Sequence, residues 1–136
     1  KDIIPERIER AINDLDINRT YIAGGTNTIS KETEAKLPSV LERMAGNTRY
    51  ETSVAIAKSK FKDSKEAFIA SGEEFADALV ISPISGKFSK PTLLVSRRDS
   101  NNKVVKNYIK EAKLTGITAI GGEKYVPNGT INDLTR

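Results

Sequence analysis

A three-layer α/β fold with a mainly parallel sheet is what this sequence predicts, on three observations. Four short apolar runs lack polar alternation, as strands covered on both faces do. Amphipathic stretches at helical spacing fall between them. A helix–turn–strand–Gly-Gly unit also occurs twice in the same order.

Taken in order, Ile4, Ile8, Ala11, Ile12 and Leu15 form one apolar stripe and predict a first helix. Thr20–Ala23 is the first strand, closed by Gly24–Gly25. "TRYETSVAIAKSKF" carries a capping box, with Thr48 as N-cap and Glu51 at the third helical position. Its core side is expected to be Tyr50, Val54, Ala57 and Phe61. Ala67–Ala70 is the second strand, and Ser71 with Glu74 repeats the capping pattern behind it. Pro83 is expected to end or kink the helix that follows near Leu79–Ser82, because proline breaks the hydrogen-bond ladder. Thr92–Val95 is the third strand. Val104, Val105, Tyr108, Ile109 and Ala112 make a second helical stripe before the fourth strand, Ile117–Ile120.

The repeat has an offset of 97 residues, which carries Gly24–Gly25 onto Gly121–Gly122. Upstream, Ile8 falls on Val105, Ile12 on Ile109 and Ile17 on Leu114. Downstream, "LERMAG" from Leu41 is matched to the terminal "LTR" from Leu134, with four residues fewer between. The chain thus holds about one and a half copies of a unit some 95 residues long.

At 136 residues the chain suits one domain with a real core, and 38% hydrophobic against 29% charged residues marks it as globular. No apolar run approaches the ~20 residues a membrane helix needs. It begins at Lys1 without a leader pattern, as expected of a mature or excised piece. Cysteine and histidine are both absent, which excludes disulfides, thiol chemistry and the commonest general base and metal ligand. Net charge is +4, unevenly spread. Between Ser85 and Lys113 eight basic residues face two acidic ones, a local +6, so the remainder carries −2. Such an excess recruits an anionic partner or simply solvates a helix face. The Tyr and Phe residues show no stacking pattern within it, so nucleic acid is not an expected partner.

Catalytic motifs are wanting. The Gly-Gly pairs never extend to GxGxxG and read as strand-ending turns. Glu73–Glu74 sits in a first helical turn, where carboxylates serve the helix dipole. Asp77 stands out, because Phe75, Ala76, Ala78, Leu79, Val80 and Ile81 surround it and an unpaired buried charge costs several kcal/mol. It is expected to pair with Arg49, or to converge with Arg49 and Tyr50 on one polar locus between subdomains, or else to face water.

Three stretches in order, "AGNTRYETSVAIA" (45–57), "ASGEEFADALVISPISGK" (70–87) and "PTLLVS" (91–96), then a strand and "IGG", resemble the cell wall binding repeat 2 family of Gram-positive, notably clostridial, surface proteins. The resemblance spans residues 41–136 as one essentially complete repeat, with residues 1–40 as the tail of a preceding copy packed into the same domain. It implies Rossmann-like subdomains, three tandem copies in a pseudo-threefold ring, no cofactor and no catalysis. It implies a secreted, wall-bound location and non-covalent attachment of autolysins or adhesins to an anionic secondary wall polysaccharide. The family's Pro-Ile-Leu-Leu attachment motif falls on Pro91, Thr92, Leu93 and Leu94, where Thr92 departs from isoleucine. Its usual Asp before Arg-Tyr is Thr48, still a good N-cap. Polymer-binding residues are then expected among Arg49, Tyr50, Asp77, Lys87, Lys90, Pro91–Leu94, Arg97 and Arg98. The small residues of 76–86 are expected to meet a neighbouring repeat, or copies of the chain as a homotrimer. Two other readings stand beside this one: a nucleotide-dependent Rossmann-like enzyme, and a self-association module of a surface layer.

Overall fold

Residues 3–136 are described by the computed structural model. In chain order they form α1 (Glu6–Asp14), β1 (Thr20–Ala23), α2 (Lys31–Glu34), β2 (Val40–Met44), α3 (Arg49–Lys60), β3 (Glu66–Ser71), α4 (Phe75–Phe88), β4 (Thr92–Val95), α5 (Asp99–Glu111), β5 (Gly116–Ile120) and α6 (Asn128–Leu134). The pairings are parallel, in two sheets ordered β1-β2 and β4-β3-β5. The four expected strands are all present. The fifth, β2, is hidden in sequence by Glu42 and Arg43 at its centre. Both charges are paired: Glu42 accepts from Ser59 Oγ and Lys60 Nζ, and Arg43 donates to Gly24 O at 2.8 Å and Glu34 Oε2 at 3.1 Å.

The three-stranded sheet is the centre of a Rossmann-like, three-layer unit. Ala67 and Ile69 of β3 and Leu93 and Val95 of β4 point to one face, where Val54 and Ala57 of α3, Val105, Tyr108 and Ile109 of α5 and Leu134 of α6 close over them. The other face is covered by α4 through Ile81 and Ser85. Leu94 N–H leaves the outer edge of β4 and is met by Ser53 Oγ of α3 at 3.1 Å, while that hydroxyl donates to Tyr50 O. The β4 edge of the sheet is thereby met by a helix.

Two expectations are corrected. Pro83 neither ends nor breaks α4, which runs on to Phe88. Proline at this position frees the carbonyl four residues back. That carbonyl, Leu79 O, instead accepts from Ser82 Oγ at 2.9 Å. The second correction concerns α1, whose predicted stripe is mostly bare, with Ile8 46% and Leu15 71% exposed. The matching stripe on α5 is buried at Val105, Tyr108 and Ile109. The pattern is shared, but only α5 has α3 and the three-stranded sheet to pack upon.

The repeat extends further in three dimensions than its residue identities suggest. Asp16 and Lys113, 97 apart, both take left-handed φ, at 50° and 52°. Gly24 and Gly121 also have positive φ, at 134° and 102°, where glycine alone is at ease. α2 and α6 start at Lys31 and Asn128, again 97 apart. Leu134 therefore closes α6 as the counterpart of Leu37, and the match of "LTR" to Leu41 is wrong by four residues. Leu41 lies in β2.

Candidate functional site

The carboxyl ends of parallel strands are where open α/β sheets hold ligands, and the most specific part of the sequence gathers there. Thr48 Oγ1 accepts from Glu51 N–H at 3.2 Å, and Glu51 Oε2 reaches back to Asn47 N–H at 2.5 Å. This capping sets the first turn of α3 against the end of β3. Arg49 Nη1 donates to Gly72 O at 2.5 Å, and the Tyr50 ring lies over Gly72, where an added Cβ would stand 2.6 Å from Tyr50 Cε1. Ser71 Oγ accepts from both Glu73 N–H and Glu74 N–H in a turn, but α4 begins only at Phe75, with Glu74 as its N-cap and no side-chain cap bond. The expected Ser71–Glu74 cap is therefore not formed, and Glu73–Glu74 precede the helix.

From that turn Glu73 crosses to the end of β4. Its carboxylate accepts from Ser96 Oγ at 2.8 Å and Arg97 Nε at 2.7 Å. The Arg97 guanidinium, then the Ser96 hydroxyl, hold the Glu73 carboxyl below its ordinary range, and Arg97 is raised in turn. Asn102, buried in α5, bonds both Ser96 N–H and Ser96 O. A cleft of about 460 Å³ opens between these groups, lined by Tyr50, Glu73, Ser96, Arg97, Arg98 and Asn101. Arg98 is exposed, and no ion pair holds it among the described residues.

Arg49 and Asp77 do not pair. Arg49 is engaged by Gly72 O, and the Asp77 carboxylate lies against Gly121 at the end of β5, with Cγ 2.9 Å from where a Cβ would be. Asp77 is half-buried, so it keeps access to water, and it has no ion-pair partner among the described residues. Its place matters for the nucleotide reading. A carboxylate over the Gly-Gly turn repels the phosphate such a turn would cradle.

The remaining predicted residues divide by position. Lys87 is exposed in the last turn of α4, and Lys90 pairs with Glu66; both lie at the amino ends of the strands, away from Arg49 and Arg98. Pro91 and Leu93 are buried. Thr92 and Leu94 turn to the opposite face and line a larger cleft of about 850 Å³. There the first copy's Gly24–Gly25 turn, Asn27 and Asn47 join Arg49. The asparagines carry no motif, and only the Gly-Gly repeat signalled this region. Thr92 Oγ1 is buried without a hydrogen-bond partner, at the position where the resemblance expects isoleucine. Thr92→Val is accordingly expected to raise stability by about 1 kcal/mol. A fall in the urea midpoint would show that the hydroxyl is satisfied.

The basic segment is less free than its +6 suggests. Lys90, Arg97 and Lys106 are taken by Glu66, Glu73 and Asp133. Among the described residues no group of three acidic or other ligating side chains could hold a metal ion, and no helix is long and apolar enough to cross a membrane.

Comparison with known proteins agrees with this fold. Residues 43–131 match the model of the family described as cell wall binding domain 2 (CWB2). The chain is 29% identical over 94 residues to the N-acetylmuramoyl-L-alanine amidase LytC of Bacillus subtilis, covering 69% of this chain and 19% of that protein. It is 35% identical over 98 residues to the amidase enhancer of the same organism, covering 71% and 14%. Among solved structures, Cwp8 from Clostridium difficile superposes with a TM-score of 0.73 at 32% identity, over 98% of this chain and 23% of that one. Cwp6 from the same organism gives 0.79 at 26%, over 98% and 22%. The chain thus spans less than a quarter of each of these relatives. Its matched residues include the α3 cap, the Gly72 turn and the β4 motif, and the chain belongs to the cell wall binding domain 2 family as a non-catalytic, wall-associated module.

Proposed function

We propose that this module attaches its parent protein to the cell wall by binding an anionic wall glycopolymer at the carboxyl ends of β3 and β4. The observation that carries this reading is the convergence of Tyr50, Arg97 and Arg98 around one open cleft, with Arg49 lining the larger cleft. Arg98 is free to meet a phosphate or carboxylate, in the bidentate geometry guanidinium favours. Arg97 would exchange Glu73 for the polymer. Lys87 and Lys90 contribute long-range attraction from the other end of the sheet, and Asp77 borders the site without contacting the anion. Retention by purified cell walls should therefore fall steeply with salt, since exposed charges are screened beyond ~8 Å at physiological ionic strength. Binding indifferent to salt would replace this reading with apolar or hydrogen-bonded sugar recognition.

Residues 1–40 serve in this reading as the tail of a preceding repeat, and 41–136 as one repeat set among others. The outer face of α4 supports contact with a neighbour: Phe75 and Val80 are each 74% exposed, with Leu79 and Ile84 beside them. Apolar patches of this kind seek partners. Identical copies can close such a contact as a homotrimer. Light scattering between micromolar and millimolar concentration is expected to show association, and a monomer throughout would count against it.

A further inference from the structure

The free edge of β5 is, we propose, an acceptor for one more parallel strand, of the β2 type, supplied by another repeat of the same family. The proposal rests on the internal repeat and does not depend on what the wall ligand is.

β1 and β5 are counterparts down to their hydrogen bonds. Ile17 N–H bonds Ile12 O ahead of β1, and Leu114 N–H bonds Ile109 O ahead of β5. Beyond the strands, Ile29 N–H bonds Gly25 O, and Val126 N–H bonds Gly122 O. Yet their neighbours differ. β1 carries β2 on one edge, with Thr20 N–H donating to Ser39 O and Gly24 N–H to Met44 O. β5 carries β3 on its other edge, where Gly116 N–H reaches Lys65 O. Backbone groups alternate in direction along a strand. Ile117, Ala119 and Gly121 therefore present theirs to the edge without a strand. These are the counterparts, at the 97-residue offset, of Thr20, Ile22 and Gly24.

Side chains agree with the backbone. Ile22 is 2% exposed beside β2, whereas its counterpart Ala119 is exposed. A groove of about 330 Å³ opens at the start of the free edge, lined by Leu114, Ile117, Leu134 and Thr135. In the first copy the equivalent residues end in Pro38, whose carbonyl takes the Thr20 hydroxyl just before β2 begins. The incoming strand should share β2's chemistry, apolar at its ends with an arginine inside. Arg43 of β2 donates to Gly24 O and pairs with Glu34. The second copy has Gly121 for Gly24 but Ile131 for Glu34. The missing acid is provided by Asp77, which lies against Gly121 unpaired among the described residues. Asp77 thus awaits the arginine of another repeat.

The test extends the full chain after Arg136 with a second copy of its own residues 40–47, and follows backbone amide exchange, which reports strand pairing locally. Exchange at Ile117 and Ala119 is expected to slow at least tenfold, with Phe68 in the central strand as the unchanged reference. An extension bearing Glu42→Pro and Met44→Pro, in the added copy alone, should give no slowing. Absence of slowing with the intact extension, or equal slowing with the proline form, overturns the proposal. Slowing at Gly121 should drop severalfold when Asp77→Asn is introduced, and an unchanged rate there overturns the arginine contact. Slowing in the unextended chain that grows with its concentration would make a second copy the occupant and overturn the assignment to another repeat.

Discussion

Leu93→Ala is expected to cost about 2–5 kcal/mol, the range for emptying a leucine site in a packed core. Leu93 is completely buried between Ile69, Val95 and the helices α3 and α5. Leu94, its neighbour in the same tetrapeptide, points the other way, is half-buried and lines a cleft. Leu94→Ala should cost well under half as much. Urea denaturation of the two variants decides between packing and contact. Net stabilities of small domains run to only ~5–15 kcal/mol, so the Leu93 variant should approach unfolding at room temperature. If instead Leu93→Ala remains as stable as the parent while wall retention is lost, the leucine touches ligand and the packing argument fails.

Gly46→Ala should be nearly as damaging, for a different reason. The glycine lies between β2 and α3, and an added Cβ would collide with Glu51 Cβ and stand 2.9 Å from the Glu51 carbonyl carbon. Helix backbone cannot yield as the tip of a long side chain does. A loss of about 3 kcal/mol, the upper part of the overpacking range, is expected. The same change at Gly86 meets nothing within 4 Å and lies inside α4. Alanine there should stabilise by roughly 0.5–1 kcal/mol, because it restricts the unfolded chain and favours helix. Calorimetric midpoints that move in the same direction for both glycines would contradict this account.

The contrast between these residues shows what could be read in advance. Strand runs such as Ala67–Ala70 and the Thr48–Glu51 cap depend on neighbouring residues alone, so they were legible. β2 was not, because its central Glu42 and Arg43 are made tolerable by Lys60, Gly24 and Glu34, none adjacent in sequence. The Pro83 rule was sound, but a hydroxyl one residue before it answered the carbonyl it frees. In the site, Tyr50, Arg97 and Arg98 came together because each sits where a helix follows a strand, while Arg49 lines the larger cleft. Lys87 and Lys90 are close to Arg97 along the chain, yet β4 carries the backbone from one end of the sheet to the other between them. Asp77 and Arg49 both begin helices, but proximity to a helix start does not say which backbone carbonyl lies nearest.

The pairing of β1 with β2 also has a mechanical meaning. The two strands run parallel and are joined through α2, so the chain enters at the amino end of one and leaves at the carboxyl end of the other. Tension drawn along the backbone across this pair slides the strands past each other instead of peeling them apart. The bonds that bridge them, from Thr20–Ser39 to Gly24–Met44, then share the force together. A tether in a bacterial envelope meets growth and flow as sustained pulls, and a ladder strained in shear yields later than one opened a rung at a time.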